Sequence, residues 1–245
     1  VSTSALDVFW FALITAVATG LGALPFMFVR QFSRFYLGIA NAVAAGLMVA
    51  ASFGLVYEGL DYGAARVLMG VVLGLVFILL SHRFLERYPN TSIGNLSGLN
   101  ARKALLLVGI MTLHSFAEGV GVGVSFGGGA AFGLLITIAI AIHNIPEGLA
   151  ISLVMVPKGV PVWKAAWWSV FSSLPQPLMA VPAFLFVETF RPFLPVGLGF
   201  AAGAMIWLAV SELLPEAFDD APHSAVGTAF TLAIAAMVAV QVLLS

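Results

Sequence analysis

The strongest constraint on this chain is the recurrence of apolar runs of about 20 residues, each long enough to cross a hydrocarbon layer as a helix. Eight such runs can be drawn, over 6–29, 35–57, 64–85, 104–126, 131–156, 162–187, 195–216 and 223–244, with Gly127, Gly128 and Gly129 dividing the fourth from the fifth. The expected fold is all-α, a polytopic integral membrane protein with eight transmembrane helices in a single domain over 1–245. Composition agrees: 61% of residues are hydrophobic and 9% charged, where a soluble domain carries about 25% charge to coat its surface. A net charge of −1 leaves no basic excess to grip a phosphate backbone, so no nucleic-acid partner is expected. With no cysteine in the chain, a metal ligand has to be His, Met, a carboxylate, an amide or a hydroxyl.

Positively charged short loops stay in the cytoplasm. Arg30 and Arg34 follow the first run, Arg83, Arg87, Arg102 and Lys103 flank the break between the third and fourth, and Lys158 and Lys164 follow the fifth. Only Arg66 and Arg191 fall on the other side. The expected orientation is multi-pass in the cell (inner) membrane, with both ends of the chain extracytoplasmic. The first run is read as a span rather than a cleaved signal, because no positive segment precedes it. The polar stretch over 87–103 is expected to be a flexible cytoplasmic loop, where the N-x-S patterns at Asn90 and Asn95 carry no weight.

Charge at bilayer depth is costly and marks a pathway, a relay or a bound ion. The fourth run carries His114-Ser115-Phe116-Ala117-Glu118-Gly119 and the fifth His143-Asn144-Ile145-Pro146-Glu147-Gly148. An i, i+4 spacing puts each imidazole and carboxylate on one helix face, with Cβ atoms about 5–6 Å apart. Both pairs fall near the middle of their runs. Successive spans alternate in direction, so the two segments are antiparallel and face each other at the midplane, a recurring design for ion sites in transporters. Two imidazoles and two carboxylates offer N and O ligands with two negative charges, which a divalent cation neutralises. Without it the carboxylates would have to take up protons or water. Pro146 cannot donate to the carbonyl of Ile142, which frees a backbone oxygen beside His143. The rival reading, a purely structural network, would bury two carboxylates for no return.

Other positions admit two readings. Met48, in the middle of the second run, offers a thioether to a borderline metal or simply fills the core. Glu212 and Glu216, near the inner end of the seventh, form an exit path or are interfacial acids backed by Asp219 and Asp220. Glu58 and Asp61, at the outer end of the second, attract cations or are ordinary span-end acids. Glycine-rich runs in the second, fourth and seventh helices serve close packing.

At these residues the sequence resembles the ZIP (Zrt/Irt-like) family of divalent metal transporters, most of all its bacterial GufA-type, zinc-uptake branch. His143 to Gly148 resembles the fifth-helix signature and His114 to Gly119 the fourth-helix one. Ala45-Gly46-Leu47-Met48, Ala202-Gly203-Ala204-Met205-Ile206 and Ser211-Glu212-Leu213-Leu214-Pro215-Glu216 add to the likeness, which covers essentially the whole chain. The resemblance implies an inverted-repeat bundle that moves zinc, or else iron, manganese, cobalt or cadmium, into the cytoplasm. It implies a metal site at Met48, His114, Glu118, His143 and Glu147, and a neighbouring second site at the positions of Ser115, Asn144 and Gln176. It also implies a homodimer, and movement of helices 1, 4, 5 and 6 as a block against the rest. Ser115 stands where the family has Asn, and Gln176 where it has Glu. An amide binds a dication less strongly than a carboxylate, so one well-formed site is expected rather than an equal pair. The His-rich cytoplasmic loop of many relatives is missing.

The reading is a carrier, not an enzyme, with divalent metal as its substrate and no organic cofactor. Its rivals are a membrane haem protein using His114 and His143, and a metal sensor that transports nothing. Paired carboxylates beside the histidines argue against haem. No H-E-x-x-H motif supports a metalloprotease, and Lys103, Lys158 and Lys164 all fall at span ends, away from any retinal site.

Overall fold

The eight apolar runs fold almost entirely as helices. The computed structural model describes residues 3–28, 33–87, 92–93 and 96–244; Arg30, Asn90 and Asn95 fall outside them. The main helices are α1 (Ala5–Leu21), α2 (Arg34–Leu60), α3 (Ala64–Glu86), α4 (Gly98–Gly127), α5 (Ala130–Met155), α6 (Val162–Ser173), α7 (Pro175–Leu185), α8 (Leu194–Leu208), α9 (Leu214–Asp220) and α10 (His223–Leu244). Ser4 and Asp7 close a reciprocal capping box at the start of α1, each satisfying a backbone N–H of the other. Among the described residues, seven helical stretches are long and apolar enough to cross a membrane.

The stretch expected to be a sixth continuous span, 162–187, is instead two helices, α6 of 12 residues and α7 of 11, joined at Leu174. Pro175 is the cause: it has no N–H to give the carbonyl of Phe171, which accepts from Leu174 in a tighter turn at 3.2 Å. The seventh span stays one helical stretch over Arg191–Asp220 but carries an irregularity of a different kind. A π-turn over Ala209–Leu213 joins α8 to α9, immediately ahead of Pro215, which cannot donate to the carbonyl of Ser211. Pro146, by contrast, lies inside a continuous α5.

The expected loop over 87–103 is shorter than the polar composition suggests. Two-residue strands, β1 (Ser92–Ile93) and β2 (Leu96–Ser97), pair antiparallel, and α4 begins at Gly98. Asn100, Arg102 and Lys103 therefore belong to the first turns of α4 rather than to a loop. Hydropathy misplaces this boundary because a helix that emerges from lipid carries polar residues without ending.

Polarity is distributed inside out. Leu6, Trp10, Ile14 and Val17 on α1, and Leu68, Val72, Val76 and Leu80 on α3, are exposed, while Thr15, Thr19, Asn41, His114, Ser115, Glu118, His143, Asn144, Glu147 and Gln176 are buried. A perimeter of this kind suits lipid, and the polar groups face the bundle interior.

Glycines bring the helix backbones together. Gly70 and Gly74 on α3 face Gly199 and Gly203 on α8, and a Cβ at any of the four would overlap a carbonyl of the other helix. Both sequences have the G-x-x-x-G form that favours close approach in membranes. Gly119 and Gly123 on α4 meet the backbone of α7 at Gln176 and Ala180, and Gly148 on α5 meets the carbonyl of Thr19 on α1. In each H-x-x-x-E-G segment the final glycine is therefore the point where a neighbouring backbone presses in behind the carboxylate.

Candidate metal site

The i, i+4 spacing on α4 directs His114 and Glu118 to one face, and the same spacing on α5 directs His143 and Glu147 to face them. His114 Nε2 lies 3.2 Å from Glu118 Oε1 and 2.8 Å from Glu147 Oε1. His143 Nδ1 lies 4.0 Å from Glu118 Oε1, and the two imidazole centroids are 6.1 Å apart. Ligand atoms from His114, Glu118 and Glu147 all fall within 4.8 Å of one another, and all three residues are buried. A tetrahedral zinc with bonds of about 2.0–2.1 Å holds its ligand atoms about 3.3 Å apart. Of the separations around His114 Nε2, the one to Glu118 Oε1 is close to that value and the one to Glu147 Oε1 is shorter, and His143 stands at the rim of the cluster.

Proximity here is not hydrogen bonding. His114 Nε2, Glu118 Oε1 and both oxygens of Glu147 are buried without a hydrogen-bond partner among the described residues, as are His143 Nε2, Ser115 Oγ and Asn144 Oδ1. Buried polar atoms left unsatisfied cost about 1–3 kcal/mol each, more if charged. A cluster of them converging on one point, beside the His114–carboxylate contacts, is a place that could hold a cation or water.

Glu118 Oε2 has a fixed partner: it accepts from Gln176 Nε2 at 2.5 Å. Gln176 Oε1 accepts from Thr15 Oγ1 at 2.5 Å and from Asn144 Nδ2 at 3.1 Å. Asn144 Nδ2 also donates to the carbonyl of Thr15 at 2.8 Å. The Pro175–Pro177 break between α6 and α7 places Gln176 here. Sequence reading passed over Thr15 because a threonine in an apolar helix usually satisfies its hydroxyl on its own backbone. The available signal was the pair Thr15 and Thr19 at i, i+4, whose second member bonds Ser173 at 2.7 Å.

Met48 is fully buried on α2, which packs against α5, and its carbonyl accepts from Ser52 at 2.7 Å. Gly38, near the start of α2, packs on Ala217 of α9 and on Ala221 just past its end. Glu58 on α2 and Asp61 just past its end are about 20 residues further on, hence about 30 Å from that end. At the end near α9, Lys103 pairs with Glu212 at 3.2 Å and Glu216 at 2.9 Å, and His82 on α3 approaches Glu212 at 3.8 Å. Lys103, Leu107, Val154, Glu212, Leu213 and Glu216 line a recess there. Lys103, read from sequence as an orienting charge at the end of the polar loop, is thus the cation between the two acids. Lys103 is 11 residues ahead of His114 on α4, about 16 Å along the helix.

A bundle of membrane-crossing helices that buries an imidazole–carboxylate cluster at mid-helix defines a class: multi-span membrane proteins with a core that could hold a metal ion. A family model described as "ZIP Zinc transporter" matches residues 82–242. The chain is 32% identical to zinc transporter GufA of Myxococcus xanthus, over 84% of this chain and 86% of that one. It is 32% identical to zinc transporter ZIPB of Bordetella bronchiseptica, over 81% of this chain and 69% of that one. At3g08650 of Arabidopsis thaliana, named as a candidate zinc transporter, is 51% identical over 99% of this chain, which spans 39% of the plant protein's length. The chain belongs to the ZIP family.

Proposed function

We propose that this chain carries divalent transition-metal cations, zinc first among them, across the membrane into the cytoplasm, exposing the site between α4 and α5 to the two sides in turn. The observation that carries this reading is the convergence of buried atoms from His114, Glu118 and Glu147, without hydrogen-bond partners and within 4.8 Å of one another. The names of the relatives, zinc transporters in each case, support zinc as the cargo.

Neutral imidazole nitrogens and ionised carboxylates bind the cation, and the two carboxylates cancel its charge, so the ion can shed water at this depth. His143 and Met48 complete the ligand set, His143 by a small movement of its ring toward Glu118. Glu58 and Asp61 gather cations at the outer end. Glu212 and Glu216 receive them at the inner end once Lys103 releases them. An inner-membrane location with both ends of the chain extracytoplasmic rests on the distribution of Lys and Arg.

Uptake of zinc into vesicles, by the unmodified protein and by the double variant His143→Ala, Glu147→Ala, tests the proposal. Saturable uptake lost in a correctly folded variant is the expected result. Absence of metal movement with the unmodified protein, in either orientation, would overturn it in favour of sensing.

A further inference from the structure

Outside the two H-x-x-x-E-G segments, three of the described residues bury a side-chain atom that has no hydrogen-bond partner: Asn41 Oδ1, Arg102 Nε and Ser152 Oγ. Arg102 carries the same sign of charge as the cargo. Ser152 follows Glu147 by five residues, which turns it about 140° round α5, away from the carboxylate's face. Asn41 differs from both. It is 3% exposed, and between Leu37 and Met48 it is the only polar residue on α2.

Helix geometry and packing fix where Asn41 lies. Met48 is seven residues further on, so the two share a face of α2 to within about 20°, with Asn41 about 10 Å nearer the inner end. Ala44, Ala45 and Met48 join the core that holds Leu107, Val154 and Leu213, whereas Ala42 packs with Ala217 and Ala221. The stripe through Asn41, Ala45 and Met48 therefore faces the central core. Depth follows from Gly38, where a Cβ would lie 2.9 Å from the carbonyl oxygen of Ala217. Asn41, about one turn outward of Gly38, is then level with Leu213, one turn ahead of Ala217. Leu213 lines the inner recess with Leu107 and Val154, which are themselves about 10 Å inward of His114 and Glu147. Between recess and centre the walls of α4 and α5 are apolar, with Ile110, Met111, Ala150 and Ile151 at most 2% exposed.

We propose that Asn41 is a transit ligand on the inner half of the path: its amide oxygen takes the cation as it leaves the central site and passes it to the recess beside Glu212. The inference rests on the transport reading above. A divalent ion entering a wall of apolar side chains loses water at high cost, and one protein oxygen on the opposite wall replaces part of that shell. A neutral amide suits the step, because conduction needs binding strong enough to admit the ion and weak enough to let it go. The missing hydrogen bond fits as well. A buried amide serving packing alone is normally bonded, and leaving one bare costs stability that an apolar side chain of the same size would restore.

Asn41→Leu keeps the size and removes the oxygen. In proteoliposomes with an internal zinc dye, its maximal uptake rate is expected to fall about tenfold, as when one ion–oxygen contact of hydrogen-bond strength is lost from a barrier. Its Cd²⁺ affinity in detergent is expected to stay that of the unmodified protein, and its unfolding temperature to stay or rise. Asn41→Asp keeps an oxygen and gives it charge, so it is expected to slow uptake by holding the ion, with one further Cd²⁺ bound per chain. Full-rate uptake by Asn41→Leu would overturn the proposal. So would an Asn41→Leu protein that unfolds earlier, fails to fold or loses Cd²⁺ affinity, since a packing role predicts those losses. An Asn41→Asp protein that binds no further ion would overturn it too. Absence of zinc movement with the unmodified protein is a different result, and it refutes the transport reading itself.

Discussion

Replacing Gly119 with alanine adds one methyl group at the contact between α4 and α7, directly behind Glu118. The new Cβ would lie 2.5 Å from the carbonyl oxygen of Gln176 and 2.8 Å from its Cα, where unstrained non-bonded atoms keep about 3.5 Å. Both obstacles are backbone, so no side chain can turn aside, and α7 has to retreat by ~1 Å. The bond from Gln176 Nε2 to Glu118 Oε2, now 2.5 Å, would stretch beyond the ~3.2 Å limit of a sound hydrogen bond. Overpacking costs about 1–3 kcal/mol, partly offset by the ~1 kcal/mol that alanine gains over glycine within a helix. The fold should therefore survive while Glu118 loses its anchor. Metal affinity is expected to fall about 10–100-fold, as it does when outer-shell partners of metal ligands are removed. Equilibrium dialysis with Cd²⁺, alongside thermal unfolding, measures both terms. Gly109→Ala is the control: on the same helix, a Cβ there meets nothing within 4 Å, and affinity should be kept. A folded Gly119→Ala that binds metal as the unmodified protein does would refute the argument that this glycine holds the site together.

Further outcomes follow from the same geometry. Glu147→Gln removes one of the two charges that cancel the cargo's while keeping the side chain's shape, and should abolish saturable uptake; isotope uptake at unchanged protein level checks it. Lys103→Met removes the cation between Glu212 and Glu216, and should speed release on the inner side with central-site affinity unchanged, as read by stopped-flow uptake with an internal metal dye. Protons compete with metal for imidazoles and carboxylates, so uptake should rise between about pH 5.5 and 8, the range in which histidine charge commonly changes. A flat profile in proteoliposomes would count against these ligands.

Much of the centre was legible because charge in an apolar run has few explanations. His114, Glu118 and Glu147 announce themselves by type, spacing and depth, and the structure brings them together, with His143 at the rim. The hydrogen bonds that organise them were hidden. Thr15 is separated from Gln176 by 161 residues, and neither a hydroxyl in an apolar helix nor a glutamine between prolines announces its partner. Hydropathy averages over a window, so it read 162–187 as one span and did not register the interruption at Pro175. Lys103 was assigned to a loop for a related reason: its charge suggested water, while its place one to two turns into α4 sets it against the two acids of the seventh span. The pairing of helix ends is a tertiary fact, and composition along a single helix does not contain it.

The four glycines that interlock α3 with α8 have a mechanical consequence. Helices joined by side chains can change rotamers and slip past each other, but two backbones pressed together at Gly70, Gly74, Gly199 and Gly203 have no such slack. Sliding by one residue would drive a carbonyl into an α-carbon at each crossing, so α3 and α8 behave as one strut. His82 at the end of α3 and Glu212 just beyond α8, 3.8 Å apart, ride on that strut together. Lys103 rides on α4, outside it. Any opening at this end of the bundle therefore divides the charge cluster along a set line, with the lysine on one side and the acid with its histidine on the other.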